Sequence, residues 1–456
     1  MATTYIYRTP SSTGSNTIST FSGWLKKSVN GSYEGIFTSV YETGEFFEIN
    51  FEPGDSLEVR AKVSSSYVLR KITTRKFRDN SAFYHIVVVI DTTNGTAEDR
   101  CKIYVNGTRE TSFSTNTNPS QNQDLKMNTA GSYEQRLGRD EWSTPAYYDG
   151  LMSHVHWVDG TAYQASTFGE IDSVSGIWIP ITSPAGVSYG TNGFFFKFEN
   201  SGNMDLDSSG NNLTFTTGGT LTQNVDTPSI VYNSLNMSAS HLGTGITISN
   251  GGNSFNSGST VQYGIGVCNY ALNKGKWYYE YKMGHACAGG GIGDTYQVAL
   301  RIKSGTALGN TTEEFAWEGN GYMKTNNGQS AYGSAASAGD IISQYIDLDN
   351  NKMYVAVNGT IQNSGTGFSI TDPNSLSSGY YYVGLISDQC SATANVTADM
   401  NYGGGYFGTT VVSSAQADAN GQGIFEYSPN NGGAASFDSA AKNFYALNTK
   451  NIKEFG

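Results

Sequence analysis

The chain is 456 residues long with a formal net charge of −12, and charged residues make up only 14% of it against 13% aromatics and 55 glycines. At roughly 100–200 residues per domain, this length excludes a single small domain, and abundant aromatics with few charges exclude a disordered one. An acidic chain without a run of Lys or Arg repels a phosphate backbone, and no apolar run approaches the ~20 residues of a membrane span, so neither nucleic acid nor a bilayer is expected as a partner.

Short runs of Val, Ile, Tyr, Phe and Thr recur between Gly, Asn and Ser clusters, and helical periodicity is nearly absent, which predicts an all-β chain. In chain order, strands are predicted over 33–40, 45–51, 57–63, 67–74, 84–91, 102–105, 151–158 and 194–199. Further strands are predicted over 276–282, 297–302, 341–347, 352–357 and 380–386. The alternation in 45–51 and 57–63 gives each strand one apolar and one polar face, as a two-sheet sandwich requires. The basic group Arg70, Lys71, Arg75, Lys76 and Arg78 alternates with Leu69, Ile72 and Phe77 and reads as the wet face of a hairpin. Helices are expected to be short, over 162–168 and 439–444.

An internal echo counts the domains. Ile90-Asp91 precedes Cys101 to Gly107, and Ile346-Asp347 precedes Asn351 to Gly359. Each unit reads as strand, Asp-rich turn, strand and an Asn-Gly type I′ turn. Two tandem β-sandwiches follow, over 1–200 and 230–456, with an ordered connection over 201–229 that is too poor in apolar residues for a core of its own. Cys101, Cys268, Cys287 and Cys390 form no CxxC pair, so neither a zinc site nor a disulfide framework is expected. Buried free thiols are the expected state, with a Cys268–Cys287 bond as the alternative in an oxidising medium.

In the first half, the run Phe21 to Lys27, the pair Phe83 to Asp91 with Lys102 to Gly107, and the run Tyr148 to His156 resemble the strands of a concanavalin A-like (LamG or pentraxin-like) jelly roll. In the second half, Gly275 to Glu280 and Gly339-Asp340 leading to Asp347 through Tyr354 resemble a SPRY-like β-sandwich. The ending Phe444 to Ile452 resembles that of phage virion proteins that pair these two modules. The resemblance implies a structural protein on the exterior surface of a tailed-bacteriophage virion, either a tail fibre, appendage or adhesin component with lectin-like domains for host attachment, or a capsid decoration protein. Its implied partners are other virion proteins, host cell-surface glycan and, by analogy, further copies of itself in a trimer. No heptad or collagen-like repeat is present, so the chain is not itself a fibre shaft.

The same fold houses glycan-degrading enzymes, whose laminarinase-type signature needs two glutamates on one strand face. Glu170-Ile171-Asp172 begins that pattern, but Val174 and Ser175 stand where the second glutamate belongs. Glu45, Glu48 and Glu52 read as an exposed edge, and His85, His154 and His156 as strand histidines. No enzymatic activity is therefore expected. The Gly-rich run 288–293 lacks the Lys and helix of a phosphate loop and reads as a flexible rim loop. Two aromatic clusters are candidates for ligand binding: Trp142, Tyr147 and Tyr148 beside Arg139, and Trp317, Tyr322 and Tyr332 beside Asn326. Sugar stacking, a protein interface and burial in the core remain open for both. No cofactor is expected beyond calcium, the ion the resemblance implies; Asp347, Asp349 and Asn351 offer oxygens at alternate positions, which a tight turn explains equally well.

Overall fold

The structure, a computed structural model, describes residues 3–42, 44–140, 144–173, 176–236, 246–258, 263–304, 306–389, 395–430 and 443–456. The chain divides into two compact units, 1–223 with 227–229, and 224–226 with 230–456. Strands dominate both, and no helix among the described residues is long and apolar enough to cross a membrane.

The first unit stacks two antiparallel sheets. One has eight strands in the order Phe113–Thr117, Ser66–Thr73, Leu57–Val63, Glu45–Phe51, Glu34–Glu42, Glu134–Leu137, Tyr5–Arg8 and Thr216–Gly218. The other has six, in the order Phe194–Phe196, Gly150–Asp159, Ile18–Lys27, Tyr84–Asp91, Cys101–Val105 and Thr108–Arg109. The apolar alternates of both sheets, among them Phe47, Ile49, Val59, Phe21, Val88 and Trp157, form one core, with Phe37 stacked on Trp157 at 4.3 Å. The segment after Phe196 closes on this unit. Thr216–Gly218 pairs with Tyr5–Tyr7, and Leu213, Phe215 and Leu221 pack against the core.

The second unit repeats the scheme. Lys276–Met283 lies between Ile341–Asp347 and Thr397–Asn401 in one sheet, and Ala288–Asp294 lies between Tyr381–Asp388 and Glu314–Glu318 in the other. Trp277, Tyr279, Ile342, Ile292, Trp317 and Val383 join in the core between them.

Several expectations are corrected. The Gly-rich run is no rim loop but a buried central strand, because its glycines leave room for what packs on it. A Cβ at Gly290 would stand 2.9 Å from Tyr281 Cζ, and one at Gly291 2.8 Å from Ala316 Cα. The predicted strand 297–302 is part of the helix Thr295–Ser304, started by Asp294, whose Oδ1 accepts the N–H groups of Tyr296 and Gln297 at 3.0 Å each. The expected helix over 162–168 is only the 3₁₀ turn Ala165–Thr167; of 439–444, only the non-helical 443–444 are described. Lys71 is buried on the core side beside Leu69, with Nζ over the Phe113 ring at 4.6 Å, rather than on a wet face. Cys101 and Cys268 are free and buried, whereas Cys287 is disulfide-bonded. Four free thiols and a Cys268–Cys287 bond are thus both overturned, and Cys390 lies outside the described residues.

Both Asn-Gly turns form with positive φ at each residue, 47° and 78° at Asn106-Gly107 and 47° and 76° at Asn358-Gly359. In each, the asparagine Oδ1 accepts a backbone N–H of the preceding strand, from His85 at 2.8 Å and from Ile341 at 2.9 Å.

Candidate functional site

Because side chains alternate across a strand, the residues of the eight-stranded sheet that do not enter the core all lie on its other face. Strand register aligns them in rows. Tyr7, Arg136, Thr38, Glu48, Arg60 and Arg70 follow one another across six strands. Asn50 and Glu58 form a parallel row beside Gly35.

Three arginines of this face are paired with glutamates. Arg60 donates to Glu48 Oε2 from Nε at 2.8 Å and Nη2 at 2.7 Å, and Arg70 Nε donates to Glu58 Oε1 at 2.8 Å. Arg136 Nε donates to Glu134 Oε1 at 2.5 Å. Glu48 is therefore no exposed edge residue but fully buried under its arginine. Asn50 is different. It is 1% exposed, and neither its Nδ2 nor its Oδ1 has a hydrogen-bond partner.

Arg139–Asp140 and Tyr147 rest on the face. Thr38 Oγ1 donates to the Arg139 carbonyl at 2.9 Å, and Tyr147 bridges to both Gly35 and Arg139. A Cβ at Gly35 would stand 2.5 Å from the Arg139 carbonyl carbon and closer still to the Asp140 nitrogen, so only glycine lets the Arg139–Asp140 backbone rest on the strand. The Arg139 guanidinium lies over the rings of Tyr5 at 4.9 Å and Tyr147 at 5.9 Å, and its Nε is buried without a hydrogen-bond partner. Tyr33 and Tyr67 stand exposed on the unit's surface, Tyr67 beneath Lys62 Nζ at 4.6 Å. Burial, reinforced by Glu58, raises the Tyr33 hydroxyl above the usual tyrosine range.

The expected clusters divide accordingly. Tyr147 and Arg139 are brought together at the surface, Tyr148 is buried in the core, and Trp142 lies outside the described residues. In the second cluster, Trp317 and Tyr332 are core residues and do not form a platform. Tyr322 is exposed at the start of a hairpin that turns at Asn326 and Asn327, both at positive φ. Asp347 is buried, its oxygens taken by Asn350 N–H at 3.0 Å, Asn350 Nδ2 at 2.8 Å and Lys276 Nζ at 3.2 Å. Asp349 Oδ1 accepts the Gly275 N–H at 2.8 Å, and Asn351 holds a turn at φ 56°. These three residues serve the turn, and among the described residues no group of His, Cys, Asp and Glu is arranged to hold a metal.

The histidines face the opposite sheet's outer side. His85 is stacked on Trp24 at 4.6 Å, and burial lowers its pKa to about 3. His156 is stacked on Phe195 at 3.8 Å with Nδ1 against the Tyr189 hydroxyl at 2.8 Å, and burial holds it well below the usual histidine range. Glu170 is exposed on the two-strand ribbon of Gly169–Ile171 with Trp178–Pro180, and Ser175 lies outside the described residues.

Tyr5, Tyr7, Tyr33, Tyr67, Asn50, Glu58 and Arg60 were not singled out in the sequence. The alternation in 45–51 and 57–63 does put Glu48, Asn50, Glu58 and Arg60 on one face, which is the only signal that pointed here.

Residues 2–166 match the family model of the concanavalin A-like lectin/glucanases superfamily. No curated protein matches the chain. Among solved structures, the SPRY domain of human HERC1 is similar at 14% identity over 34% of this chain and 91% of that chain, with a TM-score of 0.27. A human SPRY domain is similar at 12% identity over 34% of this chain and 93% of that chain, with a TM-score of 0.25. Stonustoxin is similar at 15% identity over 37% of this chain and 27% of that chain, with a TM-score of 0.29.

Proposed function

We propose that this chain is a non-enzymatic carbohydrate-binding protein, and that it serves on the exterior of a tailed-bacteriophage particle as a tail fibre, appendage or adhesin component attaching to host-surface glycan. The observation that carries the binding reading is the face built by Tyr5, Tyr147 and Arg139 within a segment that matches a lectin/glucanase superfamily. Sugar recognition needs aromatic faces for C–H stacking and fixed donors and acceptors for hydroxyls, and this face supplies both. The three carboxylates described on it, Glu48, Glu58 and Glu134, are held by Arg60, Arg70 and Arg136, whereas glycoside hydrolysis needs a carboxyl that carries a proton to the leaving group. The virion setting rests on the sequence pairing of a concanavalin A-like with a SPRY-like module, and with it the expectation of other virion proteins as partners and of a trimer. Calcium has no part in this reading, so chelation leaves glycan binding unchanged.

The test is a glycan array probed with the full chain, together with immunogold labelling of intact particles. Glycan binding without release of reducing sugar, and label on the tail, are the expected results. Label over the head would replace attachment by capsid decoration, and label on no part of the particle would end the virion reading.

A further inference from the structure

We infer that the sugar taken by this face is an acidic one, and that Arg139 receives its carboxylate. This rests on the reading of the face as a glycan site and specifies its ligand class. Among the described residues, every other arginine is committed: Arg60, Arg70 and Arg136 to glutamates of the same face, Arg8 to Gln135 and Asn192, and the rest to carboxylates or backbone carbonyls elsewhere. Arg139 alone donates to nothing, although the chain carries an excess of acidic residues that would readily pair with it. Two rings hold its guanidinium in place, Tyr5 at 4.9 Å and Tyr147 at 5.9 Å, and they in turn meet at 5.9 Å.

A planar cation oriented by aromatic faces, with unused donors, matches the fork of a carboxylate. Tyr5 and Tyr147 flank it with the apolar surface that a pyranose ring covers. Lys62, which forms no ion pair and lies over Tyr67, adds a second uncompensated positive charge to the same face. The overall charge of −12 disfavours a polyanion, whereas a single carboxylate on a sugar faces no such barrier.

The experiment prints carboxylated glycans, both sialylated and uronate-containing, beside their neutral counterparts, and probes them with the full wild-type chain and with Arg139→Gln. The expected result is binding to carboxylated members at least about 10-fold above the neutral ones, a preference lost in Arg139→Gln. Arg139→Lys, which keeps the charge but not the fork, is expected to retain only part of the preference. The sialylated and uronate arms identify the source of the acid. Binding confined to neutral glycans, or an acid preference that survives Arg139→Gln, overturns this inference and leaves the glycan reading standing. A blank array overturns both.

Discussion

The indole N–H of Trp178 donates to Nδ1 of His85 at 2.9 Å, which leaves Nε2 of His85 to meet Ser22 Oγ at 2.8 Å. An Nδ1 that accepts a hydrogen bond carries no proton, so the ring is neutral with its hydrogen on Nε2. Burial keeps it so, with a folded pKa of about 3. Between pH 6.5 and about 3 the unfolded chain takes up a proton that the folded one refuses, so stability is lost as pH falls through that window. The loss is on the order of 3–5 kcal/mol. Thermal unfolding of wild type and His85→Gln should show the wild type losing its advantage between pH 7 and pH 4; a constant difference would contradict a neutral buried imidazole.

Glu280 behaves in the opposite sense. It accepts the Tyr278 hydroxyl at 2.7 Å, the N–H groups of Glu426 at 2.9 Å and Tyr427 at 2.7 Å, and Asn401 Nδ2 at 3.3 Å, yet burial raises it to about 7. The folded state then holds its proton more tightly than the unfolded one, and stability falls as pH rises from about 4.5 to about 7. Glu280→Gln is destabilising at every pH, because its amide N–H faces donors. Its deficit should shrink by about 1–3 kcal/mol between pH 4.5 and pH 7.5. Denaturant unfolding of both proteins at the two pH values measures this; a deficit that widens would reverse the assignment.

Lys27 has no contact with solvent. Its Nζ lies 3.3 Å from Glu34 Oε2, 3.4 Å from Asp55 Oδ1 and 3.3 Å from the Phe77 carbonyl, and 4.7 Å above the Phe51 ring. Lys27→Met would leave two buried carboxylates with less compensation and should cost about 3–5 kcal/mol in urea unfolding. Adding Glu34→Gln should recover a large part of that cost, and failure to do so would separate the two residues energetically.

In the central strand Ala288–Asp294, Gly291→Ala would place a methyl group against Ala316 Cα and the Phe315 carbonyl. The backbone of Glu314–Glu318 must move to admit it, so a loss of about 2–4 kcal/mol is expected in the second unit's melting transition. Gly289→Ala presses partly on the flexible Gln389 side chain, although it also stands 2.9 Å from the Trp317 carbonyl oxygen, and should cost less. Equal costs would mean that the strand pairing itself adapts.

These cases show where the sequence was readable. Strands 45–51, 57–63, 84–91, 341–347 and 352–357 lie where alternating or continuous apolar runs placed them, because burial of one or both faces is written directly into residue type. The glycine strand was unreadable because glycine at close approach looks locally the same as glycine in a loop. The helix after Asp294 was obscured by Val298, Leu300 and Ile302, which alternate as they would in a strand, while the capping carboxylate gave the contrary signal. At the candidate site, Arg139 and Tyr147 were legible as a loop pair, but Tyr5 reaches them only through strand pairing distant in sequence. For Trp317 and Tyr332, burial in the core is one of three readings the sequence leaves open, because large aromatics serve cores and binding surfaces alike.

The missing side chain at Gly35 sets how closely the Arg139–Asp140 backbone settles onto the sheet. A single methyl group there would act as a shim, lifting the Arg139–Asp140 backbone off the strand. The position of Arg139 over Tyr5 and Tyr147 is thus governed partly from below, by a residue that presents no chemistry of its own.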